Sequence, residues 1–512
     1  SLESRVGRHS WSRPATYTLG GVGFSLHSSQ FIIFSDQSQR RTKVNKKTLS
    51  RRDFLRVGAL TTAGAVLAGC GPAPTPEVIR EEVEVTRVVE REGETVVEQV
   101  IVTATPPPAE AVTVHFTGNL AREIYDPMLF DLVAERTENI ILEMDTTPFG
   151  NGWDQYSDNL VTRIAGGEGI DLLHTAIEGL AFLSEKNVLA SLDPFIDADT
   201  AFKADLDADV HPKLLEGLQW KGEQRMLPNG CNNMVMHYNY KIFEANGVAE
   251  PDRDWSWEDF LATCLAVNHV EGTDDDVYAY SFWDATFGMA PWYYNNDTAP
   301  LTDDWLNSNM LNPKVAETLQ FLHDLIHEYK VAPDPAGWDE WGQFHSGHQA
   351  MRGCGGWCIS GAQNAEFYDF KMQYYPHRAG PLKAPYGVEG EGMTTMSAHP
   401  EAAWEVLKLL NGPEISMNML LLQGSPQSRR SVMESEEFMN HALPSPADMS
   451  IFWESFDYGK LLQAPINYTI VDPLLVRWYS KLWNDELTVD EVVVGCHEEL
   501  QAEMDILKDS LM

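Results

Sequence analysis

From residue 112 the chain switches repeatedly between two periodicities, and that switching limits its fold more than any other feature. VTVHFTG (112–118), IILEMDTTPF (140–149) and IDLLHTA (170–176) read as strands. Between them, MLFDLVAERTEN (128–139) and DQYSDNLVTRIAGGEG (154–169) carry helical spacing, the second stopped by glycines. Repeated strand–helix–strand units bury both kinds of apolar face in a mostly parallel sheet with helices on either side. The predicted fold class is therefore α/β. In such sheets ligands bind beyond the carboxyl ends of the strands. Here those ends are Thr117-Gly118-Asn119, Thr146-Thr147-Pro148 and Thr175-Ala176, small and polar like the floor of a hydrogen-bonding pocket.

The pattern continues downstream. Residues 222–248 give a hairpin-like piece, a strand and a helix start. DWSWEDFLATCLAV (254–267) is a helix, VYAYSFW (277–283) a strand and KVAETLQFLHDLIHEYK (314–330) an amphipathic helix. Residues 349–365 read as strand, glycine turn and helix, and 369–414 as strand, loop, strand, helix. A chain of 512 residues, 43% hydrophobic, is long enough for two or more domains with cores of their own.

The N-terminus has a different character. Residues 1–69 hold eleven Lys+Arg against three Asp+Glu, whereas the whole chain carries a net charge of −39. SRRDFLR (50–56), the mild apolar run VGALTTAGAVLAG and the small residues before Cys70 have the layout of a secretory signal. The run is too short to span a membrane, which takes about 20 residues. SRRDFL resembles a twin-arginine export signal, and LAGC (67–70) resembles a lipobox. That resemblance implies a lipid anchor on Cys70 and removal of residues 1–69. Residues 70–110 open with GPAPTPE and close with TPPPAE. Between these, Val alternates with charge, and an extended tether is expected, with a short coiled coil as the alternative.

Four stretches carry a wider resemblance: MVMHYNYKIFEANG (234–247), FHSGHQAMRGCGGW (344–357), HPEAAWEVLKLLNGPE (399–414) and RIAGGEGIDLL (163–173). In order and spacing they resemble the extracellular sugar-type solute-binding proteins of ABC importers, the group that includes maltodextrin-binding proteins. One departure is His237, where that family places an apolar residue before Tyr238-Asn239. The resemblance implies a periplasmic-binding-protein-like fold of two α/β lobes, each discontinuous and joined by a hinge. Lobe one would be 111–230 and 380–424, and lobe two 231–379 and 425–512. It also implies a monomeric receptor, not an enzyme, that needs no cofactor. Held outside the cytoplasmic membrane by lipidated Cys70, it would pass a sugar or oligosaccharide to a membrane permease.

HSGHQAMRGCGGWC (345–358) is open to several readings. His345, His348, Cys354 and Cys358 number enough for zinc, but the cysteine spacing is C-x₃-C and a strand separates the two pairs. A Cys354–Cys358 disulfide is one alternative outside the cell. Buried thiols are another, for these two and for Cys231, Cys264 and Cys496. In the resembled family this turn places an aromatic ring in the cleft, which makes Trp357 a platform for the apolar face of a sugar, with Gly355 and Gly356 letting backbone approach the ligand. Further candidates are Trp283, Trp292 in the cluster Trp292-Tyr293-Tyr294, Asn119, Asn232 near the hinge, Thr175 and Glu178 after the third strand, and Gly392 and Met393 on a returning strand. Each is read either as cleft lining or as scaffold.

The acidic balance repels nucleic acid and anionic lipid, so neither is an expected partner. No G-x-S-x-G, H-E-x-x-H, P-loop or G-x-G-x-x-G stretch is present. A secreted carbohydrate-active enzyme with paired carboxylates, or a metal-binding importer receptor, remain as alternatives. The first Met is Met128, so translation is expected to begin near Val44 from a non-ATG codon. N-terminal sequencing of the precursor checks this, and a start well upstream of Val44 would refute it.

Overall fold

The structure, a computed structural model, describes residues 82–91, 94–103, 110–119, 128–150, 152–273, 276–442, 445 and 447–511. The twin-arginine stretch, the lipobox with Cys70 and the start near Val44 lie outside the described residues. The chain divides into two units, Ser1–Pro106 and Pro107–Met512.

In the first unit, β1 (Glu82–Arg91) and β2 (Glu94–Thr103) pair antiparallel, where an extended tether or a coiled coil was expected. The register sets Val83 opposite Val102, Val88 opposite Val97, and Arg87 opposite Glu98. Alternation of Val with charge has the period of a strand, and two such runs on either side of Glu92-Gly93 can zip together.

From residue 112 to about 414 the second unit keeps the predicted elements in their predicted order, with helices Ile177–Glu185 and Thr286–Tyr294 added among others; the elements after that were not read from sequence. First come β3 (Val112–Gly118), α1 (Met128–Arg136), β4 (Ile140–Thr146), α2 (Trp153–Ala165), β5 (Leu172–Ala176) and α3 (Ile177–Glu185). Next are β6 (Met226–Asn233), β7 (Val235–Asn239), α4 (Tyr240–Asn246), α5 (Trp257–Val267), β8 (Tyr278–Ser281), α6 (Thr286–Tyr294) and α7 (Pro313–His327). Then follow β9 (Gln349–Cys354), α8 (Trp357–Asn364), β10 (Phe370–Gln373), β11 (Ala384–Met393), α9 (Pro400–Leu410), α10 (Pro413–Gln423), β12 (Gly459–Leu461), α11 (Tyr468–Trp483) and α12 (Val489–Leu511), with shorter helices between. Local chemistry sets several boundaries. Ser256 and Asp259 form a reciprocal capping box that starts α5. Asn312 caps α7 ahead of Pro313. Gly247, at φ +66°, closes α4 in the left-handed conformation.

Apart from a short antiparallel pair at Gln219–Trp220 and Glu223–Gln224, the strands of the second unit form two sheets. Sheet one runs β12-β11-β5-β3-β4, with β6 also paired to β11; sheet two runs β8-β9-β7-β10. Both sheets are mixed: sheet one has three parallel pairings, including β11 with β12, and two antiparallel ones, whereas sheet two has one parallel and two antiparallel and so departs from the mostly parallel expectation. β3 is parallel to β4 and β5, but β11 runs antiparallel to β5 and β6, and β7 antiparallel to β9 and β10. The cause is connectivity, since strands that cross between sheets return in the opposite sense. The chain crosses through Met234, between β6 and β7, and returns between β10 and β11. It crosses again around β12, which pairs with β11 although it lies within the stretch 425–512.

Each sheet has its own core. One draws on Val114–Cys231, Tyr386–Met419 and Phe456, and the other mainly on Met234–Tyr375 and Leu462–Leu507. His237 belongs to the interior despite its polarity: it is 1% exposed and stacks on Phe370 at 5.7 Å. Burial holds its pKa well below the ordinary histidine value, so the neutral ring packs as an apolar one.

At the carboxyl ends of β3 and β4, the small polar residues have a structural use. Thr117 Oγ1 and Thr147 Oγ1 lie 2.9 Å apart, and Arg163 Nη1 donates to both at 2.7 Å. Arg163 Nη2 donates to Asp145 at 2.5 Å and its Nε to Glu168 at 2.7 Å. Burial raises the Asp145 pKa, but Arg163 outweighs it and holds the group below the usual carboxylate range. Arg163→Met should therefore lower stability in urea unfolding by about 2 kcal/mol. That is less than the roughly 3–5 kcal/mol for breaking a fully buried pair, because the Asp145 side chain is 41% exposed. An unchanged midpoint would show that the network adds nothing.

Candidate functional site

A cavity of about 600 Å³ opens where the two sheets meet. From sheet one it receives Asn119 just after β3, Trp153 and Asp154 at the start of α2, His174 on β5, Asn232 on β6 and Glu389 on β11. From the other side come Trp283 and Asp284 after β8, Phe287 on α6, Trp357 at the start of α8, and Tyr468 and Asp472 on α11.

The connection from β5 to α3 has no intervening residue, so Glu178 is set down in the first helical turn beside the strand end. Glu178 is 5% exposed and its Oε2 has no hydrogen-bond partner. Nearby, register places His174 opposite Glu391. His174 Nδ1 lies 3.2 Å from Glu391 Oε1, and its Nε2 lies 3.8 Å from Glu389 Oε2. Asn229 donates to the same Glu391 oxygen. Asp472 accepts two hydrogen bonds from Thr286, from N at 2.7 Å and from Oγ1 at 2.5 Å.

Aromatic rings stand beside these groups. Phe149 and Trp153 meet edge to face at 5.0 Å, and Trp153 lies 5.8 Å from His174. Phe287 and Trp357 are 5.9 Å apart. The glycines before Trp357 serve packing rather than ligand approach. A Cβ on Gly355 would lie 2.0 Å from the Trp357 ring, and one on Gly356 would lie 1.8 Å from Pro426. Cys354 and Cys358 are joined by a disulfide with Cα atoms 6.2 Å apart, so they are not buried thiols. Their sulfurs are thus bound to each other. His345 Nε2 lies 3.5 Å from the Arg352 guanidinium, and His348 Nδ1 lies 3.0 Å from the Asp276 carbonyl. Among the described residues, no group of three or more His, Cys, Asp or Glu is placed to hold a metal ion.

Of the residues singled out from sequence, Asn119, Glu178, Asn232, Trp283 and Trp357 line this cavity. Four do not. Trp292 is fully buried in the core of sheet two, its Nε1 donating to Tyr280 at 3.1 Å. Thr175 is fully buried, with its Oγ1 only 2.5 Å from where a Cβ on Gly179 would be. Gly392 and Met393 lie at the far end of β11 from its cavity-lining residues, Gly387 to Glu389. There Gly392 fits against Leu189 and Met226, and Met393 joins the core of sheet one. Sequence reasoning missed Trp153, Asp154, His174, Asp284, Glu389, Tyr468 and Asp472. Gly152-Trp153-Asp154 at a helix start was a visible signal. Asp472, inside a long helix, offered none.

Electrostatics distinguish the acids of the cavity from those of the surface. Burial pushes Glu178 up to about 8; its own backbone N–H opposes this, and the charges of Asp472 and Glu389 add to it. Burial lifts Asp284 to about 6, with Asp472 contributing. Asp472 is also raised by burial, against the bonds from Thr286. His174 behaves oppositely. Burial disfavours its charge, yet Glu389 and Glu391 outweigh that and push it up to about 9.

A carboxyl whose pKa rises on folding holds its proton more tightly in the folded state. Glu178 therefore costs stability as pH rises from about 4.5 to about 8. Glu178→Gln should raise the melting temperature by about 2 °C at pH 8, with the gain vanishing near pH 4.5. A pH-independent difference between the two melting curves would contradict the burial of this charge.

Residues 135–444 match the family of bacterial extracellular solute-binding proteins. Among curated proteins none matches the chain. Many solved structures share its fold, among them the following three. An ABC substrate-binding protein from Listeria monocytogenes, in complex with cycloalternan, is 20% identical with a TM-score of 0.68, over 77% of this chain and 100% of that one. Maltose-bound MalE3 of T. maritima is 18% identical with a TM-score of 0.64, over 76% and 99%. A solute-binding protein from Agrobacterium radiobacter K84, in complex with ribitol, is 17% identical with a TM-score of 0.63, over 77% and 99%.

Proposed function

The chain belongs to the bacterial extracellular solute-binding proteins, and from that premise we propose that it is the receptor of an ABC importer that captures a carbohydrate between its two lobes. The observation that carries this is the composition of the cavity. Trp153, Trp283 and Trp357 offer apolar faces, while Asn119, Asn232 and Glu178 offer hydrogen-bonding groups around them. A pyranose presents those two kinds of surface, C–H faces and a hydroxyl rim. Asn119 Oδ1 and Glu178 Oε2, both without partners in the protein, suit incoming hydroxyl groups. A neighbouring cavity of about 350 Å³ shares Trp283, Asp284 and Trp357, which leaves room for more than one sugar ring. The strand crossings between the sheets suit a hinge, so closure on ligand would sequester it. Three structures of the same fold hold cycloalternan, maltose and ribitol, which supports a polyhydroxylated ligand.

The anchor and the delivery step complete this reading. Lipidated Cys70 would hold the receptor at the outer face of the membrane, where the closed form would dock on a permease. A single secreted monomer suffices for that task.

A thermal-shift screen against mono-, di- and oligosaccharides, polyols, and zinc with a chelator control tests the proposal. A saturating sugar should raise the melting temperature by several degrees, without product formation. Trp357→Ala should weaken that sugar about tenfold, the value of one good aromatic contact. A shift with zinc alone, reversed by chelator, or turnover of a glycoside would replace this reading with a metal receptor or an enzyme.

A further inference from the structure

The charge of the cavity is one-sided. Five of its lining residues, Asp154, Glu178, Asp284, Glu389 and Asp472, are carboxylic acids, and none is Lys or Arg. Its one basic lining group, His174, is held at 3.2 Å by Glu391, outside that set, and sits 3.8 Å from Glu389. Among the described residues, Asp154, Glu178, Asp284 and Asp472 have no ion-pair partner. This is not a surface cluster. Glu178 is 5% exposed, lines the cavity and leaves Oε2 without a partner.

These acids also act on one another. Asp472 and Glu389 disfavour the charge on Glu178, Asp472 disfavours that on Asp284, and Asp154 disfavours that on Asp472. A hydroxyl group can satisfy a carboxylate oxygen but leaves this repulsion in place. A cation relieves both at once. The aromatic side chains act in the same direction, because the π faces of Trp153, Trp283, Trp357 and Tyr468 attract positive charge. Carboxylates interleaved with aromatic rings, with the one basic group, His174, already held by Glu391, are the chemistry that recognises an ammonium group.

We propose that the cleft selects a solute bearing a protonated amine, an amino sugar within the carbohydrate reading, with its ammonium group held by Glu178 and flanked by Glu389 and Asp472. The sugar half of this statement rests on that reading, and the ammonium half stands on the cavity alone.

The test is calorimetric titration of the full chain at pH 7.5 with matched pairs: glucosamine against glucose, and chitosan dimer against cellobiose. N-acetylglucosamine serves as the uncharged derivative, and spermidine as an amine without a sugar. Each amine should bind at least tenfold tighter than its neutral counterpart, and N-acetylation should remove the preference. Glu178→Gln should abolish the preference while circular dichroism and melting show an intact fold. Asp154→Asn, at a half-buried position, provides a second variant that should reduce it severalfold. Neutral sugars binding as tightly as the amines would overturn the proposal and leave the carbohydrate reading standing. Binding of spermidine with no sugar of either kind would keep the ammonium site and remove the carbohydrate reading. Silence from every amine would overturn the proposal, and silence from the neutral sugars too would remove both.

Discussion

The cleft depends on one strand lying between two others. β11 pairs antiparallel with β5 on one side and β6 on the other, setting Glu389 opposite Ala176 and Gly230, and Glu391 opposite His174 and Leu227. These partners are far apart in sequence, so the pairing closes long loops, whose entropic cost grows only slowly with length. In return it joins a strand from the last third of the chain to strands within residues 172–233 in one sheet. It also carries Glu389 and Glu391 up to His174, which fixes the charge of the cavity floor. The register shift between Glu389 and Gly390 falls at that point and re-aims the strand where it passes the cavity.

Two groups of charges in the same lobe meet opposite fates. Arg163 is enclosed by acceptors, and the threonines and carboxylates around it are satisfied within the protein. Glu178 is buried more deeply, and its Oε2 has no partner at all. Folding alone gains nothing from the second arrangement, and the protein would be better off with an apolar side chain there. Local conflicts that persist in an otherwise consistent fold mark the places where a structure serves something besides its own stability. The cavity has that character, whereas the strand ends beneath α2 do not.

Much of this was legible in the sequence, because periodicity reports which face of an element is buried. The order of strands and helices from β3 to α9 followed from it except for helices such as α3 and α6, with boundaries displaced by a few residues. Resemblance then pointed to Trp357 and Asn232, and both line the cavity. What escaped was whatever depends on partners distant in the chain. Thr117 and Thr147 look like a pocket floor until Arg163, 46 and 16 residues away, is seen to occupy them. Trp292 carries the same signal as Trp283, yet one is sealed by Tyr280 and the other is 47% exposed. The antiparallel sense of β11 followed from a crossing that no local pattern encodes. The β1–β2 pairing was visible as alternation but was read as a linker, because its composition has little apolar surface to bury.

The repeated crossing of the chain between sheets bears on how such a solute-binding protein changes over generations. Sheet one is assembled from segments that end at Asn233, begin again at Ala384 and return at Gly459. A single recombination event between two related genes anywhere in that interval therefore yields a sheet built from two parents, with β11 of one wedged between β5 and β6 of the other. Moving one lobe intact takes several simultaneous junctions. Exchange of one lobe as a block thus asks more of this architecture than of beads-on-a-string proteins. A new ligand preference is reached by replacing side chains one at a time around a frame that stays put.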